Sequence, residues 1–215
     1  MDLLKQTVEY QNWGTNAATF SFLATVFFTI LQGWALFEQN KTIRRRKSGE
    51  SVSLIFFIYA FCYFATFLVY GTTKMSITMT FNGLLMIPYL PILIGLCRFK
   101  GFSKSDWTLL ILFSGMIAIV QILNHSSVQD VFVLAGLFGL LVPALFQIKE
   151  MLKTKSPGSI EPKFIISFML AGIFWFIYGL TSGNWIFVVF NPISFTILVI
   201  ILLLYLKYKR SYAAL

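Results

Sequence analysis

Seven apolar stretches, none of which contains Asp, Glu, Lys, Arg or His, constrain this chain more than any other feature of its sequence. Each stretch is 17 to 22 residues long, close to the ~20 residues with which an α-helix crosses a bilayer at ~1.5 Å per residue. Because the bilayer interior offers no water to unpaired backbone groups, such stretches cross it as helices. We therefore predict an all-α integral membrane protein with transmembrane helices at 17–37, 53–71, 76–97, 107–123, 131–148, 164–182 and 185–206.

The composition of the 215-residue chain argues against a soluble enzyme. Hydrophobic residues make up 58% of the chain and charged residues only 12%, whereas soluble proteins contain about 45–50% and about 25%. The sequence offers no His or Cys cluster, no pair of carboxylates near a predicted membrane surface and no metal-ligand spacing. We therefore expect no enzymatic activity, no catalytic residue, no cofactor and no metal ion.

The distribution of positive charge predicts the orientation of the helices. Of the 17 Lys and Arg residues, fifteen follow the first, third, fifth or seventh stretch, and only Lys5 and Lys74 fall on the opposite side. Since cytoplasmic loops are enriched in Lys and Arg, the N-terminus is predicted outside and the tail 207–215 in the cytoplasm, with the protein in a plasma or inner membrane. No nucleic-acid partner is expected, while the run 44–47 can contact anionic membrane lipids.

An internal repeat indicates how the helices are grouped. Shifting the sequence by 108 residues gives nine identities over the 33 positions 39–71, without a gap. The most informative identities pair Gln39 with Gln147, Lys47-Ser48 with Lys155-Ser156 and Tyr70-Gly71 with Tyr178-Gly179. Both copies place their basic loop on the same side of the membrane, so the two copies are parallel and require an odd number of helices between them.

The repeat therefore predicts a 3+1+3 arrangement. A first three-helix repeat spans 17–97, a linker containing the fourth helix spans 98–124, and a second three-helix repeat spans 131–206. The fourth stretch matches neither copy. Parallel repeats of this kind are related by a pseudo-twofold axis along the membrane normal.

The segments 39–48 and 147–156, each followed by a Tyr-Gly pair and then an Asn, resemble the PQ-loop repeat. Within that superfamily the 3+1+3 plan is similar to the SWEET sugar transporters and to the SemiSWEETs, their single-repeat bacterial relatives. The resemblance covers nearly the whole chain. It implies an alternating-access carrier of a small neutral polar solute such as a mono- or disaccharide, which can form a homo-oligomer. Lysosomal amino-acid transporters and the KDEL receptor share the architecture, so the resemblance leaves the solute open.

The resemblance also implies a solute-binding site between the repeats. Trp175 and Asn191, which lies twelve positions after Gly179, are similar to the SemiSWEET segment whose Trp and Asn contact the sugar. Phe67 and Asn82 take these places in the first repeat, so the expected pocket is asymmetric.

Gate and hinge residues follow from the same resemblance. Relatives close the external side with an Arg and an Asp; this chain has Ser182 and Asn184 there, so gating is assigned to Tyr70 and Tyr178. The glutamines of the PQ-loop motif are Gln39 and Gln147, but Glu38 and Phe146 replace the preceding proline. Pro143 lies near the second motif and is an expected hinge position. On physical grounds Pro88, Pro91 and Pro192 are hinge candidates as well, because a proline inside a helix removes a backbone donor and can kink the helix.

Physical chemistry supports the candidate binding residues without the resemblance. An amide such as Asn82 or Asn191, about six residues into a span, is costly against lipid and should face the bundle interior, where it can bond a hydroxyl. A Trp ring can pack on the C–H face of a sugar. The alternatives are that both Asn residues only join helices, that Trp175 only packs in the core or faces lipid, and that Tyr70 and Tyr178 belong to an aromatic belt.

The absence of ionisable residues within the predicted spans favours passive transport. Proton-driven transporters carry such residues as relays, so we expect a facilitator, with Glu38 the first candidate if coupling exists. The main alternative is a transporter of amino acids or another small metabolite on the same scaffold. A seven-span receptor is less favoured, because receptor helices are not built from two parallel copies. No sequence feature points to a membrane adaptor.

Overall fold

The computed structural model describes residues 2–50, 52–124, 126–157 and 159–213. Within these residues the chain is helical and contains no strand. The helices are α1 Asp2–Lys5, α2 Val8–Gln11, α3 Ala17–Arg46, α4 Leu54–Thr73, α5 Ile77–Gly83, α6 Met86–Lys100, α7 Lys104–Ile122, α8 Ser127–Gly139, α9 Leu141–Thr154, α10 Pro162–Ser182 and α11 Trp185–Ala213. Seven helical segments are long and apolar enough to cross a membrane, which confirms the predicted fold class.

The helices extend beyond the predicted spans at the end that carries most of the Lys and Arg residues, here called the basic end. α3 was predicted to end at residue 37 but continues to Arg46, so most of the first basic loop is helical. Lys and Arg are good helix formers, and their charge is favourable at a helix C-terminus. Hydropathy marks where the chain leaves the lipid, whereas the hydrogen-bonded helix ends only where its backbone turns.

The repeated Lys-Ser pair marks that turn in both copies. Lys47 ends α3 and Lys155 ends α9, each in the left-handed backbone conformation, with φ of 49° and 48°. Such a residue at a helix C-terminus redirects the chain and satisfies the last carbonyl groups. The sequence identity therefore corresponds to the same backbone turn, 108 residues apart.

Two of the seven segments are interrupted near prolines. α5 ends at Gly83 and α6 begins at Met86, so that Pro88 lies in the first turn of α6. Because Pro88 has no N–H for the carbonyl of Leu84, this carbonyl accepts from the Ile87 amide at 3.0 Å instead. The interruption therefore places a tight turn directly after Asn82.

The second interruption lies between α8 and α9, at Leu140. Pro143 falls in the first turn of α9, where a proline is tolerated; its side chain lies outside the described part of the structure. By contrast, Pro192 sits inside the uninterrupted helix α11. The two copies therefore break different helices, and the hinge roles of Pro143 and Pro192 remain predictions.

Contacts between helices bring the two copies together along two interfaces. α3 packs against α5 and α6 of its own copy and against α10 of the other. α4 packs against α5, α6 and α7 and also contacts α8 and α9, while α11 contacts α8, α9 and α10. Within α7 only Val120 is buried, so this helix presents most of its surface to lipid. These contacts are the ones expected of two three-helix units and a peripheral linker helix, although the 3+1+3 grouping remains a prediction.

Glycines permit close contacts between consecutive helices in both copies. A Cβ at Gly71 would overlap the backbone of Thr80 in α5. A Cβ at Gly179 would lie 2.8 Å from the Cβ of Phe187 in α11. The repeated Tyr-Gly pair thus allows α4 to approach α5 and α10 to approach α11. Gly115 of the peripheral helix α7 makes no such contact, since no atom lies within 4 Å of its added Cβ.

Candidate solute cavity

A central cavity lies between the two copies and is lined by all four predicted binding residues. Asn82, Asn191, Phe67 and Trp175 face it, and each is at most 6% exposed. The cavity offers about 120 Å³ to the centres of water-sized molecules, whereas one water needs about 10–15 Å³ by this measure. It can therefore hold several water molecules or a small polar solute.

Part of the aromatic wall of the cavity is a cluster of three rings. The rings of Phe67 and Trp175 meet edge to face, with centroids 6.1 Å apart. The ring of Phe187 packs on both, with its centroid 4.7 Å from that of Trp175 and 6.4 Å from that of Phe67. Phe187 could not be predicted from the sequence, since one Phe among 24 carries no signal of its own.

The two asparagines face the bundle interior, as predicted, but their contacts differ. The Nδ2 of Asn191 donates to the carbonyl of Phe187 at 2.7 Å, a bond within α11. Its Oδ1 points towards α10, where an added Cβ at Gly172 would lie 3.7 Å away. The Nδ2 of Asn82 lies 3.5 Å from Thr29 Oγ1 on α3, at the long limit of a hydrogen bond. This weak contact and the intrahelical bond of Asn191 make poor connections between helices.

Three further polar groups of the cavity wall were not singled out from the sequence. They are the Oε1 of Gln32 and the hydroxyls of Tyr63 and Tyr89, all buried and without a hydrogen-bond partner among the described residues. A buried polar group left unpaired costs about 1–3 kcal/mol. Gln32 could have been noticed as an amide inside an apolar span; the tyrosines could not, because a membrane protein uses Tyr in many settings. The three residues line the cavity, but their unpaired atoms are covered by neighbouring atoms in this conformation.

The end of the bundle opposite the basic end is closed around the predicted gate residues Tyr70 and Tyr178, which are each 4% exposed. Tyr70 donates to Asp130 at 2.9 Å, and Asp130 also forms a 2.7 Å ion pair with Lys74. Tyr178 donates to Glu9 at 3.1 Å. Burial and these bonds distinguish both tyrosines from an aromatic belt that faces lipid. The sequence did not reveal their carboxylate partners.

The two PQ-loop glutamines join the copies at the basic end. Gln39 of α3 donates to the carbonyl of Ser159 and accepts from the amide of Glu161, both at 2.7 Å. In the reciprocal contact, Gln147 of α9 accepts from the amide of Ser53 at 2.8 Å. Each glutamine therefore holds the start of the other copy's second helix. Their predicted role as motif residues corresponds to a contact between the copies.

Replacing Gln39 with leucine is expected to weaken this contact. The substitution leaves the buried carbonyl of Ser159 unpaired, which costs about 1–3 kcal/mol, and also removes the partner of the partly buried Glu161 amide. Thermal unfolding in detergent should show a lower midpoint for Gln39→Leu, and Gln147→Leu should shift it in the same direction. Gln121→Leu is the matched control, since Gln121 is exposed at the end of the peripheral helix α7. If Gln39→Leu unfolds at the same temperature as the Gln121→Leu control, the Gln39 contact does not stabilise the protein.

The polar groups of the cavity are neutral. None of the residues that line it is Asp, Glu, Lys, Arg or His. Within the described residues, no three His, Cys, Asp or Glu side chains are grouped so that they could hold a metal ion. The cavity is therefore suited to an uncharged molecule with both hydroxyl groups and an apolar face.

This geometry defines a polytopic membrane protein with a neutral, amphipathic cavity between two similar halves. The model of a family described as "Sugar efflux transporter for intercellular exchange" matches residues 141–213, which contain α9 to α11. A solved structure of a eukaryotic SWEET transporter superposes with a TM-score of 0.64 at 17% sequence identity, over 90% of this chain and 97% of that chain. No curated protein matches the chain. The fold is that of a SWEET transporter, and the resemblance stated from the sequence is confirmed.

Proposed function

We propose that this protein is a membrane transporter that moves a small neutral polyhydroxylated solute, such as a mono- or disaccharide, down its concentration gradient. The observation that carries the proposal is the central cavity, which Trp175 and Phe67 line together with two asparagines. A family described by sugar efflux and a SWEET fold support the same class of solute.

The cavity groups match the chemistry of a sugar. A pyranose ring has an apolar C–H face, which can pack on the Trp175 indole. Its hydroxyls both donate and accept hydrogen bonds, as do the amides of Asn82 and Asn191. A solute with several hydroxyls can therefore bond both amides, which an apolar solute cannot do.

Alternating access would proceed by rocking of the two copies around this cavity. The contacts of Tyr70 and Tyr178 close one end, and those of Gln39 and Gln147 join the copies at the other. We assign the basic end to the cytoplasm, because Lys and Arg are concentrated there. Transport would require that the contacts at one end break while those at the other persist.

The neutral cavity wall supports passive transport. A zwitterionic amino acid would leave its charges facing neutral side chains, and a proton relay would need an ionisable group along the path. No charged residue of the described structure lines the cavity. The proposed carrier is therefore a uniporter.

Uptake into proteoliposomes tests this function. Purified protein is reconstituted and offered a panel of radiolabelled mono- and disaccharides and amino acids, first without an ion gradient and then with a pH gradient. We expect a sugar to equilibrate in both conditions without accumulating above its external concentration. Uptake of amino acids alone would replace the proposed solute, and accumulation driven by the pH gradient would overturn passive transport.

A further inference from the structure

The N-terminal segment before the first membrane span contains a buried carboxylate at the end opposite the basic end. Glu9 lies in the four-residue helix α2 and is only 6% exposed. α2 packs against both α3 and α5, and the amide of Val8 donates to the carbonyl of Met75 at 3.1 Å. The segment is thereby fixed over the first copy's α4–α5 connection.

Three hydrogen bonds attach the Glu9 carboxylate to the start of α5. Its Oε1 accepts from the Ser76 hydroxyl at 2.7 Å and from the Thr78 amide at 3.0 Å, and its Oε2 accepts from the Ile77 amide at 2.9 Å. These groups precede Asn82 by only a few residues on the same helix. The carboxylate therefore moves with the first copy.

A fourth bond crosses to the second copy. The hydroxyl of Tyr178 on α10 donates to Glu9 Oε1 at 3.1 Å. Tyr178 packs on Trp175 and Phe187, with ring centroids 5.6 Å and 6.2 Å away. One carboxylate is thus connected to α5 and, through a single hydroxyl, to the aromatic wall of the cavity.

The charge of Glu9 strengthens this connection. Burial alone would raise its pKa, but hydrogen bonds from Thr78, Ser76 and the Ile77 amide outweigh burial and hold the pKa below its ordinary value of 4.5. Glu9 is therefore ionised at neutral pH. Hydrogen bonds to an ionised acceptor are roughly twice as strong as those between neutral groups.

We propose that Glu9 is a gate-positioning residue, whose carboxylate stays on the first copy and holds the end opposite the basic end closed by binding the Tyr178 hydroxyl of the second copy. Of the four hydrogen bonds of Glu9, opening that end breaks the one to Tyr178 and leaves the three to α5 intact. The proposal rests on the proposed transport function, because a gate has a role only if a solute passes.

The hydrogen bond between Glu9 and Tyr178 is here called the latch. Labelling of a cavity cysteine tests this latch independently of the solute. In a background with Cys62→Ser and Cys97→Ser, Ser194→Cys places a thiol on the cavity wall. A membrane-impermeant maleimide is applied separately to intact cells and to inside-out vesicles. Lys5→Cys, at an exposed position of the N-terminal segment, identifies which preparation presents the Glu9 side. Labelling of Ser194→Cys from that side requires an open gate.

Two substitutions distinguish a latch between the copies from a carboxylate that only bonds the start of α5. Glu9→Gln keeps the shape but removes the charge, whereas Tyr178→Phe removes only the bond between the copies and leaves the bonds to α5. We expect each to raise the labelling rate from the Glu9 side by roughly tenfold, the effect of losing one hydrogen bond to a charged group. Glu50→Gln, at an exposed acidic residue of the basic end, should leave the rate unchanged.

The outcomes distinguish the two proposals. If Glu9→Gln raises labelling but Tyr178→Phe does not, the carboxylate acts only on α5 and the latch is refuted; unchanged labelling in both also refutes it. If Glu9→Gln does not yield monodisperse protein, the Tyr178→Phe result decides alone. If labelling rises in both variants but no sugar moves through the wild type, the latch stands and the proposed solute is wrong.

Discussion

Gly71→Ala is expected to destabilise the protein strongly, because the added methyl group would overlap the backbone of α5. The added Cβ would overlap the backbone nitrogen of Thr80 and would lie 2.7 Å from the carbonyl carbon of Met79. Backbone atoms of α5 cannot rotate away as a side chain would. The two helices must separate, at a cost of at least about 1–3 kcal/mol, the range measured for overpacked cores.

Gly115→Ala is the matched control for this experiment. Gly115 lies within α7, where no atom comes within 4 Å of an added Cβ. Since alanine is favoured over glycine in a helix by about 1 kcal/mol, this variant should unfold at the same temperature as the wild type or at a higher one. Thermal unfolding in one detergent, followed by loss of monodisperse protein, measures both variants. Equal midpoints for the two would show that α4 and α5 can adjust to the extra methyl group.

Separation of α4 and α5 should also reach the cavity. α5 carries Asn82, and α4 carries Phe67 and Tyr70. We therefore expect the surviving folded fraction of Gly71→Ala to transport more slowly than the wild type. Gly115→Ala should transport normally, since α7 contributes no residue to the cavity wall.

Asn191→Leu is expected to reduce uptake of the transported sugar by at least about tenfold, equivalent to the loss of ~1.4 kcal/mol of hydrogen bonding in the transport step. Leucine is similar to asparagine in shape and fits a buried position, but its branches neither donate nor accept. Asn82→Leu should act in the same direction, because both amides face the same cavity.

Asn40→Leu provides the control for the asparagine substitutions. Asn40 is also a buried helical asparagine, 7% exposed, but it bonds Arg44 at the basic end of α3 and does not line the cavity. Initial uptake rates, normalised to folded protein, should fall in Asn191→Leu and Asn82→Leu and change little in Asn40→Leu. If folded Asn191→Leu transports at the wild-type rate, the asparagine joins helices and is not a binding residue.

The candidate binding residues could be found from the sequence because they stand out chemically. Asn82 and Asn191 are amides within apolar spans, where facing lipid is costly, and both line the cavity. The same reasoning would have selected Gln32, which the resemblance did not emphasise. Tyr63, Tyr89 and Phe187 could not be selected, because nothing local separates a cavity-lining aromatic from one that faces lipid.

The gate shows a different limit of the sequence. Tyr70 and Tyr178 were recognised by their repetition, but they were expected to act without charged partners. Their partners Asp130 and Glu9 lie 60 and 169 residues away along the chain. Both acidic residues fall outside the predicted membrane-crossing segments, where charge is ordinary and draws no attention.

The sequence by itself determined the membrane location, the helical class and the repeat. These properties depend on local quantities: the length of each apolar stretch, the absence of charge within it and the identity of residues at a fixed spacing. The tertiary structure alone decided which side chains face the cavity, where two segments break and which carboxylates bond Tyr70 and Tyr178. A transmembrane helix is apolar on its lipid face and on its packed face alike, so the periodicity that marks the inner face of a soluble helix is weak here. Only the packing of the helices determines which face of each one lines the cavity.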